Sequence, residues 1–217
     1  VGIGLHDSLA ALIPYLVNFR EPFLLISTGT WCISLNPFNS SPLSTYELES
    51  DCLCYLHYLG KPVKASRLFA GNEHELELNR ISQHFSESRS RYEQMNFDIA
   101  FLNCLDQDKV YSGNDLALYS SDTEAYHRLM IHIIKQQKIS SELVIKGSEV
   151  RRIFVDGGFS KNSIYMNLLT IVFPEMEVFA ASMAQSTAMG AALAIYNSFG
   201  NKTVPNDLIE LKFYSTK

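Results

Sequence analysis

The sequence lacks several features that define large classes of proteins. No uninterrupted apolar run approaches the roughly 20 residues that a membrane-spanning helix needs, and no positively charged segment with a cleavage site opens the chain. Charged residues make up only 19% of the chain, and the formal net charge of -5 comes without a long basic run. Proteins that bind the phosphate backbone of DNA or RNA carry such basic patches. We therefore expect a soluble, cytoplasmic protein with neither a membrane nor a nucleic acid as its partner.

Cysteine is also scarce, with four residues in 217. Cys32, Cys52, Cys54 and Cys104 are too few and too irregularly spaced for a disulfide framework, which favours a reducing compartment. Cys52 and Cys54 could ligate a metal, but no second cysteine or histidine pair lies at the spacing of a zinc site. We interpret all four as core thiols and expect no metal-binding residues in the chain.

Apolar residues, in contrast, are as frequent as a folded domain requires. They make up 47% of the 217 positions, enough for one domain, or for one large domain with a small appendage. The first residue is Val1 rather than methionine, and the opening VGIG has the pattern of a strand already in progress. We expect that a segment upstream of Val1 has been removed.

The first half of the chain predicts antiparallel strands. A short strand, Val1 to Gly4, leads through a polar turn into a helix whose apolar residues recur at helical spacing from Leu9 to Val17. Two strand-like runs, Phe23 to Ser27 and Trp31 to Leu35, are separated by a tight glycine turn and form a predicted hairpin. A third strand, in CLCYLHYL, precedes Gly60, and we expect a short return strand after it.

The middle of the chain is less informative. Residues 71 to 110 are predicted as a helix followed by a polar stretch, which we interpret as a family-specific insertion. Near Ser121 a capping signal begins a helix with one apolar stripe. The residues expected on its solvent-exposed face are His127, Arg128, Lys135 and Gln136.

The last third alternates strands and helices. The apolar strand RIFVDGGFS ends in a glycine turn, a helix stops before Pro174, the strand EVFAA follows, and a final helix begins at about Ala184. The face of this helix expected to pack closely carries Ala188, Ala191, Ala192 and Ile195. The alternation predicts parallel pairing with right-handed crossovers, so the fold class is α/β with a mixed sheet flanked by helices.

Three loops leave the ends of strands, where open α/β sheets bind ligands. In the first, Gly4 to Ser8, Asp7 could accept a proton from a substrate hydroxyl that comes within hydrogen-bond reach. Alternatively, Asp7 or Ser8 simply caps the helix that follows. The residues alone leave both roles open, and the two can coexist on neighbouring residues.

The other two loops are rich in glycine. Ser27 to Thr30 offers hydroxyls, backbone amides and one glycine, which can hold an anion. Asp156 to Asn162 lies between a buried strand and a helix start and lets a ligand pack against bare backbone, although it is not the GxGxxG of dinucleotide folds. Each has an ordinary alternative, since most Thr-Gly hairpins bind nothing, and Asn162 or Ser163 could merely cap a helix.

Four segments, taken together and in this order, resemble the C-terminal domain of FGGY carbohydrate kinases: GLHDSLAAL, LLISTGTWCISL, IFVDGGFSKN and MAQSTAMGAALAI. The similarity covers essentially the whole chain and is least distinctive between 71 and about 110. The resemblance implies that residues 1–217 form an actin-like ATPase (ribonuclease H-like) domain, the nucleotide-binding half of a two-domain enzyme. The sugar would be bound largely by an N-terminal domain that this chain does not contain.

The resemblance also assigns roles to individual residues of this sequence. Asp7 matches the catalytic base that deprotonates the sugar hydroxyl, and Gly29 and Thr30 match the turn beside the ATP phosphates. The residues that match the stretch contacting the adenosine are Gly157, Gly158 and Asn162. The family's last-helix motif includes Gln185, Met189 and Gly190, where we expect packing before ligand binding.

The implied reaction is in-line transfer of the γ-phosphoryl group from Mg²⁺-ATP to a hydroxyl of a ketose or deoxyketose such as rhamnulose, fuculose or xylulose. The GxHD form around Asp7 is more like the rhamnulose- and fuculose-type kinases. The chain lacks the D-x-G-T/S-x-x-R phosphate loop of the family's first domain, which would supply the magnesium-associated aspartate. Phosphoryl transfer depends mainly on positioning, so we expect half a site here and no catalysis by the isolated chain.

Two other interpretations remain open at this point. One is a non-catalytic actin-like module that binds ATP or ADP and a partner protein, and the presence of Asp7 in its motif argues against it. The other is a structural domain whose glycine turns bind nothing, which would leave three ligand-type turns as a coincidence. A face that has lost a neighbouring domain would favour self-association, so a homodimer is among the expected assemblies.

Overall fold

A mixed sheet of seven strands organises the part of the chain that the structure describes. This computed structural model describes residues 4–105, 111–183, 185–196 and 208–215, so the strand expected at the start of the chain falls largely on residues outside these ranges. The strands are β1 Phe23–Thr28, β2 Cys32–Asn36, β3 Cys52–Leu56, β4 Pro62–Leu68, β5 Arg152–Gly157, β6 Glu177–Ser182 and β7 Glu210–Tyr214. They lie side by side in the order β3-β4-β2-β1-β5-β6-β7.

The centre of the sheet is parallel and its flanks are antiparallel. Strand β5 pairs in parallel with both β1 and β6, and the other neighbours pair antiparallel. This confirms the predicted mixed sheet, with antiparallel strands in the first half of the chain and parallel pairing in the second. The runs FLLIST and RIFVDG of β1 and β5 are almost fully buried, because central parallel strands are covered by helices on both faces. Strand β7 was not predicted, since its mostly exposed residues give no apolar run.

Helices cover both faces of the sheet. They are α1 Asp7–Asn18, α2 Thr45–Glu49, α3 Ala70–Phe85, α4 Arg89–Glu93, α5 Asp122–Ile145, α6 Ser163–Val172 and α7 Ser186–Tyr196. Alternate residues of β1 point to opposite faces, so Leu24 and Ile26 join the core beneath α5 and α6, whereas Leu25 packs with Leu12 of α1. No helix in the described ranges is both long and apolar enough to cross a membrane.

Serine pairs fix helix α5 against the antiparallel strands. The hydroxyls of Ser34 and Ser141 lie 2.9 Å apart, and those of Ser66 and Ser140 lie 2.6 Å apart, both in buried positions. Because a buried hydroxyl without a partner costs free energy, these pairs favour the observed position of α5 along β2 and β4.

Two side chains lie differently from their predicted positions. His127 was expected in solvent but is buried, because the segment at Asp98 covers it. Its Nε2 accepts from the Asp98 N–H (3.1 Å), so the proton is on Nδ1, which donates to the Thr123 carbonyl oxygen (2.8 Å). Cys54 is exposed on the edge strand β3 rather than in the core, whereas the other three cysteines are buried as expected.

Helix α7 packs through the face opposite to the predicted one. A Cβ on Gly190 would lie 1.7 Å from the Ala10 carbonyl oxygen, so Gly190 lets α7 contact the backbone of α1. Gly190 and Leu193 are therefore the buried residues of this helix. The residues expected to pack are instead exposed: Ala188, Ala191, Ala192 and Ile195. The expected helix start at Ala184 lies outside the described residues.

The contact between α7 and α1 predicts the effect of Gly190→Ala. Alanine normally stabilises a helix interior relative to glycine by about 1 kcal/mol. Here the added methyl group has no room, and overpacking should instead lower the free energy of unfolding by about 1–3 kcal/mol, measured by urea denaturation. Ala191→Ser on the exposed face is the control and should change stability by less than about 0.5 kcal/mol. An equal or higher stability of Gly190→Ala would contradict the close approach.

Candidate active site

The turn between β1 and β2 is held by the first turn of α3. A Cβ on Gly71 would lie 1.7 Å from the carbonyl oxygen of Gly29, so only glycine permits this approach. The Asn72 N–H donates to the Thr30 carbonyl oxygen (3.0 Å), and the Gly29 N–H donates to the Trp31 carbonyl oxygen (2.9 Å). The predicted phosphate turn is therefore rigidly placed. Sequence reasoning missed Gly71, because its partner is distant along the chain.

Thr28 joins this turn to the loop after β5. Its hydroxyl donates to the Asp156 carbonyl oxygen (2.6 Å) and accepts from the Phe159 N–H (3.0 Å). The parallel pairing of β1 with β5 brings the two strand ends together, with Thr28 opposite Gly157. Two of the three candidate loops thus form one connected unit.

The two adjacent glycines of the third loop have different roles. Gly157 has a φ of +94°, and a Cβ there would lie 1.9 Å from the Thr28 carbonyl oxygen. Gly157 is therefore required by the backbone. A Cβ on Gly158 would meet nothing within 4 Å, because Gly158 faces an open cleft.

This larger cleft has a volume of about 800 Å³. The predicted residues Gly29, Thr30, Gly158 and Asn162 line it, whereas Gly157 is exposed but is not part of the lining. Helices α3, α4 and α5 supply the rest of the lining, including Gly71, Asn72, His74, Glu75, Leu78, Arg89, Glu93 and Tyr126. Its volume falls in the range of cofactor and small-molecule sites.

The amide of Asn162 makes one hydrogen bond to the protein through each of its two polar atoms. Its Oδ1 accepts from the Tyr165 N–H (2.9 Å), which confirms Asn162 as the cap of α6. Its Nδ2 donates to the Tyr126 hydroxyl (2.8 Å). Each atom keeps one further bonding position, an N–H on Nδ2 and a lone pair on Oδ1, so Asn162 shapes the wall and can still contact a ligand.

The segment interpreted as an insertion forms part of the cleft. Arg89 of α4 donates to Glu75 (2.6 Å) and to Asn79 (2.7 Å), which fastens α4 to α3. Glu93 and Gln94 then face the cleft. The polar sequence of this segment gave no indication that it lines the cleft, because only the fold brings α4 opposite Gly158.

Asp7 lies in a smaller cleft of about 500 Å³. It is the first residue of α1, its side chain is 76% exposed, and its Oδ1 accepts from the Ser8 N–H (2.7 Å). The cap of α1 is His6 rather than Asp7 or Ser8: the residue has extended backbone, and its Nδ1 accepts from the Ser8 N–H (3.3 Å). A carboxylate in the first turn is stabilised by the helix dipole.

An aromatic and cationic wall faces Asp7 across this cleft. Trp31 is 40% exposed and packs against Phe69, with ring centroids 4.5 Å apart. The Arg67 guanidinium lies 5.3 Å from the centre of the Trp31 ring and donates to Asp51 (2.6 Å). Trp31 and Arg67 line the cleft together with Asp7.

The start of α7 supports this region from behind. The Thr187 hydroxyl lies 3.5 Å from the Asp7 carbonyl oxygen. Burial raises the pKa of Asp156, while hydrogen bonds from Ser186 and from the Gly157 N–H oppose the shift.

In the last-helix motif, Gly190 packs on α1, Met189 is half-buried and Gln185 has a φ of +57°. Of these three residues, Gly190 is the one that packs in the core, while Gln185 is exposed.

The two clefts meet at one turn. Thr28, Gly29 and Thr30 line both of them. A ligand that extends along the larger cleft past this turn would reach the side of Asp7. Within the described ranges no group of three or more histidine, cysteine, aspartate or glutamate residues is arranged to hold a metal ion.

Comparisons with known proteins agree with this architecture. Residues 20–203 match the family model described as carbohydrate kinase FGGY, C-terminal domain. A search of curated proteins found no match. The fold is similar to those of a ligand-bound xylulose kinase from Lactobacillus acidophilus (TM-score 0.72, 14% identity) and a xylulose kinase from Rhodospirillum rubrum (0.70, 14%). It is also similar to a gluconate kinase from Lactobacillus acidophilus (0.66, 12%).

These similarities have a definite extent. The matches cover 99%, 99% and 97% of this chain but only 46% of each solved chain, so the chain spans less than half the length of those proteins. At such low identities they show the fold alone, a ribonuclease H-like α/β domain with a mixed sheet. The family match covers most of the chain and includes two of the three candidate loops. The chain therefore belongs to the FGGY carbohydrate kinase family and corresponds to its C-terminal domain.

Proposed function

We propose that this chain is the nucleotide-binding half of a kinase that transfers the γ-phosphoryl group of ATP to a sugar hydroxyl. The observation that carries the proposal is the turn Thr28 to Thr30, which forms a wall of both clefts. A nucleotide in the larger cleft with its phosphates at this turn has its terminal phosphate beside Asp7. Membership of the carbohydrate kinase family supports the reaction class.

The larger cleft suits a nucleotide in its surface as well as its size. Gly158 leaves bare backbone beside the ring of Phe159, against which an adenosine can pack. Gly29 is equally open, so phosphate oxygens can approach the backbone of the turn. We propose that the Mg²⁺ that accompanies ATP is held mainly by the phosphates and by the other domain of the enzyme.

We propose Asp7 as the general base. One carboxylate oxygen is fixed by the Ser8 N–H, and the side chain is exposed to the cleft. As the acceptor oxygen forms its bond to phosphorus and the bond from phosphorus to the ADP oxygen breaks, the proton of the acceptor hydroxyl passes to Asp7. The rigid start of α1 positions the base for this transfer.

The acceptor is proposed to be a ketose or deoxyketose such as rhamnulose, fuculose or xylulose. The GxHD motif at Asp7 supports the first two, and the similarity to the two solved xylulose kinases supports xylulose. We propose that an N-terminal domain completes the sugar site. The clefts of this chain offer one wall of such a site, so no sugar phosphate is expected from the chain alone.

Trp31 provides a direct assay of nucleotide binding. It is the only tryptophan of the chain and directly follows Thr30. Titration with Mg²⁺-ADP should therefore produce a saturable change in tryptophan emission. Gly158→Val should abolish the change without altering the melting temperature, because a Cβ there meets no protein atom within 4 Å and the branched side chain would stand where the nucleotide packs.

Gly157→Ala is the matched control for this experiment. Its positive φ and the contact with Thr28 make alanine strained there, so the variant should lose more than about 1 kcal/mol of stability. Unchanged affinity of Gly158→Val would remove Gly158 from the site. No saturable signal and no heat of binding for the wild-type chain would contradict the nucleotide cleft itself.

Asp7→Asn in the full-length kinase tests the base. Asparagine keeps an acceptor for the Ser8 N–H, so the melting temperature should stay constant, while kcat falls by about 10²- to 10⁴-fold. Asp98→Asn is the control, because Asp98 also accepts a backbone N–H (Ala100, 2.9 Å) but lines neither cleft. Near-normal kcat for Asp7→Asn would refute the catalytic assignment.

A further inference from the structure

A chain of hydrogen bonds connects three helices along the wall of the larger cleft. It begins at the start of α6, where the Tyr165 N–H donates to Asn162 Oδ1 (2.9 Å). Asn162 Nδ2 then donates to the hydroxyl of Tyr126 on α5 (2.8 Å). The same hydroxyl lies 3.0 Å from Nε2 of His74 on α3. The chain ends at the cleft, because His74 lines it.

The direction of each hydrogen bond follows from the first. The Tyr165 N–H can only donate, so the oxygen of the Asn162 amide is fixed on that side and the NH₂ group points at Tyr126. Burial raises the pKa of Tyr126 far above its usual range, so its hydroxyl keeps its hydrogen. Asn162 can only donate to this oxygen, and among the described residues His74 Nε2 is the only acceptor within reach, so pairing the buried hydroxyl hydrogen requires that it point to Nε2 of His74. His74 therefore carries its own proton on Nδ1.

His74 is also neutral. Desolvation lowers its pKa to about 4, the Glu75 carboxylate acts in the opposite direction, and Arg89 adds to the lowering. The ring is fixed edge-on against Phe159, with centroids 5.2 Å apart and an interplanar angle of 84°. Nδ1 has no hydrogen bond within the described residues, and the neighbouring Glu75 Oε1 is 3.9 Å away, beyond hydrogen-bonding distance.

We propose that His74 is a specificity-determining residue that donates a hydrogen bond from Nδ1 to the nucleoside part of the bound nucleotide. The inference rests on the proposed function of the larger cleft. The ligand atom would be an uncharged acceptor, a purine ring nitrogen or a ribose oxygen. The position of His74 favours a contact with the nucleoside rather than with the phosphates. It lies one turn of α3 beyond Gly71, which clamps the phosphate turn, and it is next to Phe159 and the anionic Glu75.

The tautomer can be measured without any assay of activity. In a ¹⁵N-resolved spectrum of the histidine imidazoles of this chain, His74 should show a protonated Nδ1 and an unprotonated Nε2, with its signals assigned from their loss in His74→Phe. His127 is the internal reference, since Asp98 and Thr123 impose the same tautomer on it. A proton on Nε2 of His74, or a charged ring at pH 7, would overturn the inference.

The contact itself is tested by titration calorimetry with Mg²⁺-ADP. His74→Phe keeps a ring against Phe159 but removes the donor, and affinity should fall about 5-fold, the value of one net hydrogen bond. His132→Phe is the control, because His132 pairs with Glu73 and does not line the cleft. The affinity of this variant for Mg²⁺-ADP should match that of the wild type. If the wild-type chain binds ADP and His74→Phe binds equally well, His74 is not a ligand contact. If the wild-type chain does not bind ADP, the proposed function fails first and the inference fails with it.

Discussion

The arrangement of both clefts depends on the close backbone contact between the turn after β1 and the start of α3. Gly71 permits this contact, because its missing side chain leaves space for the carbonyl oxygen of Gly29. Thr28 then ties the same turn to the loop after β5 through its hydroxyl. A Thr-Gly hairpin turn, which binds no ligand in most proteins, is thereby fixed between two clefts that are large enough for a ligand. Its position, more than its composition, makes it a candidate phosphate site.

Local patterns in the sequence predicted much of the fold. The buried runs of β1 and β5, the hairpin, the cap at Asn162 and the mixed sheet all follow from periodicity and turn residues that lie close together in the chain. The family resemblance assigned Gly29, Thr30 and Gly158 to a nucleotide site, and all three line the larger cleft. The sequence could not reveal which glycine faces the open cleft, because Gly157 and Gly158 differ in backbone conformation and in the atoms opposite them, which only the fold determines.

Several of the remaining errors and omissions involve contacts between distant segments. The prediction of which face of α7 packs was wrong. That face is determined by the contact of Gly190 with α1 rather than by contact with the sheet. His127 was placed in solvent, because its cover comes from the segment at Asp98. His74 carried no signal at all, since its tautomer is set by residues of α5 and α6. Tertiary partners of this kind leave no periodic trace in a single sequence.

The central claim is that one turn serves a nucleotide on one side and the Asp7 cleft on the other. A crystal structure of the chain with Mg²⁺-ADP tests it most directly. The account predicts adenosine density along Gly158 and Phe159 and the diphosphate at Gly29 and Thr30, with its terminal phosphate directed towards the cleft of Asp7. A nucleotide bound elsewhere, or one whose phosphates lie at the far end of the larger cleft near Glu93, would contradict it.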